Sequence, residues 1–175
     1  MKQRSWGGAI WETVETVVIA LALALLIRGF VIESFVVQGQ SMEPTLQNGE
    51  HLLVNKFIYR LQEPKAGQII VFRPPLPTTR DFIKRVIALP GQRVSMRDGA
   101  VYIDGVLQPQ TYLPPGAAGV ANYPPTLVPA GDLFVLGDNR NNSEDSRYFG
   151  FVPIANVRGQ AIVVWWPPQV AGSIH

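Results

Sequence analysis

The sequence predicts a mainly β protein, with sheets that stack or close partly into a barrel, preceded by one N-terminal transmembrane helix. Short β-branched runs broken by Gly and Pro dominate from Ile32 onward, and helical periodicity is hard to find there. One long apolar run lies near the N-terminus. Charged residues make up 16% of the 175 residues, below the roughly 25% of an average soluble domain. This composition excludes a disordered chain.

The N-terminal apolar run has the length of a membrane span. Val14–Ile32 is interrupted by polar or small residues only near its ends, and at about 1.5 Å per residue it gives a helix of roughly 28 Å. Lys2 and Arg4 precede it, so the positive-inside rule predicts a cytoplasmic N-terminus. We therefore divide the chain into a cytoplasmic tail (1–12), an anchor helix (13–32) and an extracytoplasmic β-rich domain (33–175).

A cleaved secretory signal is the alternative to an anchor. Ala22-Leu23-Ala24 has the small-x-small pattern of a cleavage site. Glu12 and Glu15 are unusual in a signal peptide, however, and the apolar pattern continues past the supposed cleavage site. Both alternatives place the residues after about Val31 outside the cytoplasm.

The remaining residues predict eight strands. Asp98-Gly99 lies between two apolar runs as a type I′ hairpin signal, and Asp104-Gly105 marks the next turn. Pro109–Pro129 lacks strand character and is predicted to be a surface loop. The predicted strands are Phe35–Gln38, His51–Lys56, Gln68–Phe72, Phe82–Leu89, Arg93–Met96, Ala100–Ile103, Leu133–Leu136 and Gln160–Trp166.

The composition removes several classes of chemistry. The chain has no cysteine, which excludes disulfides, thiol catalysis and thiolate metal sites. Two histidines are too few for a histidine-rich metal centre, and we expect neither a metal nor another cofactor. A net charge of +2 without a dense basic cluster argues against nucleic-acid binding.

Three segments carry possible chemistry, each with a structural alternative. Ser41 follows an apolar run and Gly39, so a turn there presents its hydroxyl and N–H to a ligand or merely caps the turn. Lys84 lies on a predicted strand between Phe82 and Val86. Burial there would lower its pKa and make it a base, whereas an edge position would let it reach water. Gly137–Gly150 is a polar loop that either serves a site or satisfies local backbone groups.

Taken together and in this order, the three segments resemble the type I signal peptidases, the bacterial leader peptidase family. The matching stretches are Ser41–Leu46 (SMEPTL), Lys84–Gly91 (KRVIALPG) and Gly137–Gly150 (GDNRNNSEDSRYFG). The resemblance implies a mainly antiparallel β fold and a membrane-anchored serine endopeptidase with a serine–lysine dyad. The implied substrates are the signal peptides of exported preproteins, and the implied neighbour is the lipid bilayer; we expect a monomer.

The resemblance also assigns roles to residues. It implies that Ser41 is the nucleophile, Lys84 the general base and Ser143 the serine that orients the lysine amine. It implies that Asp145 and Arg147 form a structural ion pair behind the site. The residues implied to line the pockets for small side chains at substrate positions −1 and −3 are Met42, Leu46, Phe82 and Ile83.

One position departs from the family pattern. Many members carry serine two residues before the nucleophile, where its hydroxyl helps to hold the oxyanion, and this chain has Gly39 there. The Ser41 N–H then needs another donor, from water, Gln40 or a backbone amide. Two other classes remain open: a self-cleaving repressor, for which no helix-turn-helix pattern precedes Ser41, and a non-enzymatic β module tethered to a membrane.

Overall fold

The structure is a computed structural model that describes residues 6–174, with only the backbone described for 6–9, 26–28 and 30. Helix α1 spans Trp6–Phe30 and the one-turn helix α2 spans Ser146–Phe149. Short 3-10 turns occupy Ile58–Arg60, Ile154–Asn156 and Pro168–Val170. The prediction of a mainly antiparallel β fold is confirmed, because every strand pairing described is antiparallel.

Twelve strands are described, arranged in two sheets. The larger sheet has the order β1-β2-β11-β3-β4-β9-β10, with β12 also paired to β11, and the smaller sheet has the order β7-β6-β5-β8. The strands are β1 (Ile32–Val36), β2 (His51–Asn55), β3 (Ile69–Phe72), β4 (Phe82–Ala88), β5 (Arg93–Arg97), β6 (Ala100–Ile103), β7 (Val106–Leu107), β8 (Tyr123–Leu127), β9 (Asp132–Leu136), β10 (Val152–Pro153), β11 (Val157–Trp166) and β12 (Gly172–Ser173).

Strand β4 lies inside the larger sheet, where both of its faces are covered. It pairs with β3 so that Ile70 lies opposite Lys84, and with β9 so that Leu136 lies opposite Arg85. Consequently three consecutive residues, Lys84, Arg85 and Val86, are all buried although their side chains point to alternate faces of the sheet. This register brings the loop that follows β9 next to the Lys84–Arg85 pair.

The two predicted hairpin turns have the backbone that type I′ turns require. Asp98 and Gly99 have φ values of 47° and 79°, and Asp104 and Gly105 have values of 52° and 81°, which is the left-handed conformation at both central positions. Each turn joins neighbouring strands of the smaller sheet, β5 to β6 and β6 to β7.

The prediction of an unstructured Pro109–Pro129 loop is wrong at its end. Residues Tyr123–Leu127, with two prolines, form strand β8, in which Thr126 pairs with Val94. β8 is the edge strand of the smaller sheet, and an edge strand tolerates proline because one row of its N–H groups needs no partner. Short strands β7, β10 and β12 also lie outside the predicted set.

The predicted anchor helix is not confirmed as a membrane span. The observed helix covers Trp6–Phe30 rather than 13–32, and β1 begins at Ile32. Within the described residues, no helix is both long enough and apolar enough to cross a membrane. Lys2 and Arg4, on which the predicted orientation rests, lie outside the described residues.

Candidate active site

Ser41 lies on a turn between β1 and β2 that is bound to a distant part of the chain. Its carbonyl oxygen accepts a 3.0 Å hydrogen bond from the Asn139 backbone N–H, and the Asn139 side chain donates to the Gln40 carbonyl at 3.1 Å. The turn begins at Gly39, which has a φ of 90° and donates its N–H to Asn48 at 2.8 Å. The backbone therefore holds the serine in a fixed orientation, as the sequence around Gly39 predicts.

Lys84 extends from the centre of β4 to the Ser41 hydroxyl. Its Nζ donates to Ser41 Oγ at 2.7 Å and to the Ile83 carbonyl at 3.1 Å. The side chain is buried, with 3% of the residue exposed, and Nζ lies 5.3 Å from the centre of the Phe82 ring. The two residues predicted to form a dyad are thus in direct contact although 43 positions separate them.

Burial changes the acid–base behaviour of this lysine. It lowers the pKa of Lys84 to about 8 from 10.5, while the carboxylates of Asp145, Glu144 and Asp138 raise it. Desolvation disfavours the charged ammonium more than the three carboxylates favour it. A substantial fraction of Lys84 is therefore neutral near pH 8.

Behind the dyad lie Ser143 and Asp145, in the loop after β9, and Arg147, in helix α2. The Arg147 guanidinium makes two hydrogen bonds to Asp145, of 2.7 and 2.8 Å, and Asp145 also accepts from the backbone N–H groups of Arg147 at 3.3 Å and Gly137 at 3.1 Å. Ser143 Oγ is buried and has no hydrogen-bond partner among the described residues. The structure thus brings Asp145 and Arg147 together, while the expected bond from Ser143 to Lys84 is not formed.

Ser143 nevertheless lies against the serine turn. A Cβ atom built on Gly137 would be 2.2 Å from Ser143 Oγ and 2.4 Å from the Ser41 carbonyl oxygen. The Ser143 hydroxyl and the Ser41 backbone therefore face each other across the space that glycine leaves free. A buried hydroxyl without a partner has a donor available for a reacting group or a water.

A second buried ion pair, between Arg85 and Asp138, lies outside the predicted site. Arg85 donates to both carboxylate oxygens, at 3.0 and 2.7 Å, and to the Gly67 carbonyl at 2.8 Å. Thr45 donates to Asp138 at 2.6 Å. The sequence held one indication of this ion pair: Arg85 is a charged residue inside a largely apolar predicted strand, and a charge buried there requires a partner.

A cavity of about 530 Å³ opens beside the dyad. Its lining includes Met42, Phe82 and Ile83 together with Ser41 and Lys84. Leu46, also predicted to line the substrate pockets, is not on this wall: it is 0% exposed and packs with Met42 in the core beneath. Among the described residues, no group of three or more His, Asp or Glu side chains is placed to hold a metal.

The sequence matches the model of a protein family over most of its length. Residues 10–166 match the family described as signal peptidase, peptidase S26. The chain belongs to this signal peptidase family. Membership confirms the predicted family and the predicted class of enzyme, a serine peptidase. The same match favours a signal peptidase over a self-cleaving repressor, which was one of the two other protein classes that the sequence left open.

Curated relatives and a solved structure agree with this assignment to the signal peptidases. The chain is 43% identical to a probable signal peptidase I-1 of Synechocystis sp., covering 94% of this chain and 87% of the relative. It is 38% identical to signal peptidase I of Bacillus licheniformis, covering 91% and 90%. A crystal structure of a signal peptidase I from Enterococcus faecalis V583 superposes with a TM-score of 0.50 at 36% identity, covering 57% of this chain and 97% of that one.

Proposed function

We propose that this protein is a membrane-anchored serine endopeptidase that cleaves signal peptides from exported preproteins, with Ser41 as the nucleophile and Lys84 as the general base. The observation that carries the assignment is the 2.7 Å contact between Ser41 Oγ and the buried Lys84 Nζ. A serine is a weak nucleophile until an adjacent base removes its proton. A buried lysine with a lowered pKa can supply that base near neutral pH.

Acylation begins when Lys84 has lost its proton. The contact between the two side chains then reverses, so that the Ser41 hydroxyl donates to Nζ. Nζ takes this proton as Oγ bonds to the carbonyl carbon of the substrate residue at −1, and the Ser41 N–H stabilises the oxyanion. The Lys84 ammonium gives the proton to the leaving nitrogen, the C–N bond breaks, and an acyl-enzyme ester remains. Lys84 then takes a proton from water, which attacks the ester, and the proton returns to Ser41 Oγ.

The cavity beside the dyad supports a preference for small residues at −1 and −3. Met42, Phe82 and Ile83 supply apolar walls close to Ser41, and walls of this kind accept small apolar side chains without unpaired polar groups. Leu46 acts from beneath the wall, where it packs against Met42.

Ser143 is the third member of this proposed site. Its buried hydroxyl has no partner among the described residues, so its oxygen is free to accept an N–H of the neutral Lys84 amine, which leaves the single lone pair of Nζ for the Ser41 proton. The Asp145–Arg147 pair holds the loop that carries it. We expect Ser143→Ala to lower kcat while leaving the unfolding free energy within about 1 kcal/mol of the wild type. Equal kcat values in a peptide-cleavage assay would remove Ser143 from the mechanism.

Helix α1 is proposed to hold the catalytic domain at the extracytoplasmic face of a membrane, with the N-terminus in the cytoplasm. Its described apolar side chains are exposed, among them Trp11 at 70%, Leu21 at 59% and Leu25 at 69%. So many exposed apolar groups on one helix favour a nonpolar environment. The full chain is expected in the membrane fraction of cells, and a chain without residues 1–31 in the soluble fraction. Equal distribution of the two would refute this placement.

Substitutions at the dyad test the catalytic assignment. Ser41→Ala and Lys84→Ala are expected to abolish cleavage of a preprotein, and Lys84→Arg as well, because a guanidinium stays charged near neutral pH. Ser173→Ala and the exposed-lysine variant Lys65→Ala are the matched controls and should keep wild-type turnover. Near-wild-type cleavage by either alanine variant at the dyad would end the assignment.

A labelling experiment separates an enzyme from a non-enzymatic module. A serine-directed acylating probe should label Ser41 in the native protein and fail to label it after Lys84→Ala. The rate of labelling should rise as pH increases through about 8, where the pKa of Lys84 lies, because only the neutral amine accepts the serine proton. A labelling rate that stays constant from about pH 6 to about pH 10 would refute the role of Lys84 as the base.

A further inference from the structure

Two buried arginines form a layer directly behind the dyad. Arg85 follows Lys84 on β4 and is 2% exposed, and Arg140, in the loop after β9, is 3% exposed. Arg85 is neutralised by Asp138. The three hydrogen bonds donated by the Arg140 guanidinium to the described residues go instead to neutral oxygens, namely the Gly137 carbonyl at 3.1 Å and the side chains of Gln110 and Tyr112.

Tyr112 is in contact with both arginines. Its ring centre lies 4.1 Å from the Arg85 guanidinium carbon and 6.0 Å from that of Arg140. Its hydroxyl accepts a hydrogen bond from Arg140 at 2.9 Å. The face of the ring attracts the Arg85 guanidinium, and the hydroxyl oxygen accepts a hydrogen bond from the Arg140 guanidinium. Burial raises the pKa of Tyr112, which keeps the hydroxyl protonated.

Tyr112 comes from a part of the chain that is distant in sequence from both arginines. It belongs to the segment between β7 and β8, the two outer strands of the smaller sheet. Gln110 in the same segment donates to the Gly99 carbonyl, in the β5–β6 hairpin, at 3.2 Å. The segment thus connects the smaller sheet to the arginines behind the active site.

We propose that Tyr112, together with Gln110, is a positioning residue that holds Arg85 and Arg140 in place and thereby fixes the backbone that supports Ser41. This inference rests on the peptidase function proposed above. It assigns a role in the reaction to the irregular segment between β7 and β8, which the serine–lysine mechanism does not use.

Each step from Tyr112 to the nucleophile is a described contact. Arg140 binds the Gly137 carbonyl at 3.1 Å, and Arg85 binds Asp138, the next residue. The residue after that, Asn139, donates its backbone N–H to the Ser41 carbonyl at 3.0 Å. Movement of either arginine is therefore transmitted through two or three residues to the serine turn.

Loss of Tyr112 would leave the layer of cations underpaired. Arg140 relies on neutral acceptors, and a buried donor without an acceptor is costly because water cannot replace the lost bond. The guanidinium would move to find one, and Gly137 would move with it. Because Met42, Phe82 and Ile83 are not part of this chain of contacts, the substrate cavity would keep its walls.

The experiment compares two substitutions of Tyr112 with a matched control elsewhere. Tyr112→Phe keeps the ring over Arg85 and removes the hydroxyl from Arg140, whereas Tyr112→Leu removes both. Tyr102→Leu is the control, since Tyr102 stacks on Arg97 at 5.3 Å in the smaller sheet. For each variant, kcat and KM for a signal-peptide substrate, the acylation rate of Ser41 by a small serine-directed probe, and the melting temperature are measured on the full chain.

We expect kcat and the acylation rate to fall on the order of ten-fold in Tyr112→Phe and further in Tyr112→Leu, with KM within about two-fold of the wild type. Tyr102→Leu should retain wild-type kcat even where it lowers the melting temperature. Wild-type kcat in both Tyr112 variants would overturn the proposal, as would an equal loss in Tyr102→Leu. If Tyr112→Leu fails to fold, Tyr112→Phe decides the question alone.

The two proposals can fail separately. If Ser41→Ala retains activity, the peptidase assignment fails, and the positioning role of Tyr112 in the Ser41 reaction fails with it. If Ser41→Ala is inactive and the Tyr112 variants match the wild type, the peptidase function stands and the positioning role is refuted.

Discussion

We expect replacement of Lys84 by methionine to make the protein more stable at neutral pH while abolishing its activity. Methionine is similar in length to the lysine stem and unbranched, so it fills the same buried space without a charge. In the wild type at pH 7, folding places an ammonium group in a site where 3% of the residue is exposed. The substitution removes that unfavourable burial along with the base.

The magnitude follows from the pKa of this group. Folding lowers the pKa of Lys84 from 10.5 to about 8. The folded protein therefore disfavours the charged form of Lys84, relative to the neutral form, by about 3 kcal/mol more than the unfolded chain does. Between these pH values the unfolded chain binds more protons than the folded one, so wild-type stability rises with pH. The stability advantage of Lys84→Met is therefore largest below pH 8 and decreases by about 3 kcal/mol as the pH rises to 10.5.

Urea unfolding of both proteins at pH 7 and at pH 10 to 10.5 measures this change. The quantity compared is the difference in unfolding free energy between Lys84→Met and the wild type, taken at each pH. The titration of tyrosines and other groups that both proteins share therefore cancels. Lys56→Met, at a half-buried lysine paired with Glu33 at 3.2 Å, is the control for removing a lysine that keeps contact with solvent. An advantage of Lys84→Met that stays constant across this pH range, or that grows with pH, would refute the burial argument.

Two further substitutions test the backbone support of the site. Asp138→Asn removes the carboxylate that pairs with the buried Arg85 and is expected to cost about 3–5 kcal/mol, measured by urea unfolding; a loss below about 1 kcal/mol would mean that the other contacts of Arg85 hold it without the carboxylate. Gly137→Ala places a Cβ 2.2 Å from Ser143 Oγ and 2.4 Å from the Ser41 carbonyl oxygen, so the probe should acylate Ser41 more slowly. Wild-type acylation would show that the serine turn can shift freely.

The strands were predictable from the sequence because period and turn chemistry are local properties. Ala100–Ile103 is observed at its predicted bounds, and the Asp98-Gly99 turn has its predicted conformation. Strand β8 could not be predicted in this way, since its two prolines are acceptable only at a sheet edge. Whether a segment lies at an edge depends on strand order, which local pattern does not specify.

The site was predictable where long motifs carried it and not where distant segments meet. Ser41 and Lys84 come from two separate motifs, and the structure brings them into contact. Tyr112 lies in a segment without any recognised pattern, and its position between two arginines follows only from the packing of the two sheets. The absence of a hydrogen bond between Ser143 and Lys84 could not be predicted from the sequence either, because it depends on the direction of one buried hydroxyl.

The attachment of the serine turn to the loop after β9 has a consequence for the order of synthesis. Gln40 and Asn139 are bonded across 99 positions, and Thr45 and Asp138 across 93. A growing chain therefore completes the serine and the lysine long before it completes the segment that orients them. We expect the nascent protein to be catalytically silent until β9 and the following loop have been made, so that proteolytic activity appears only with a nearly finished chain.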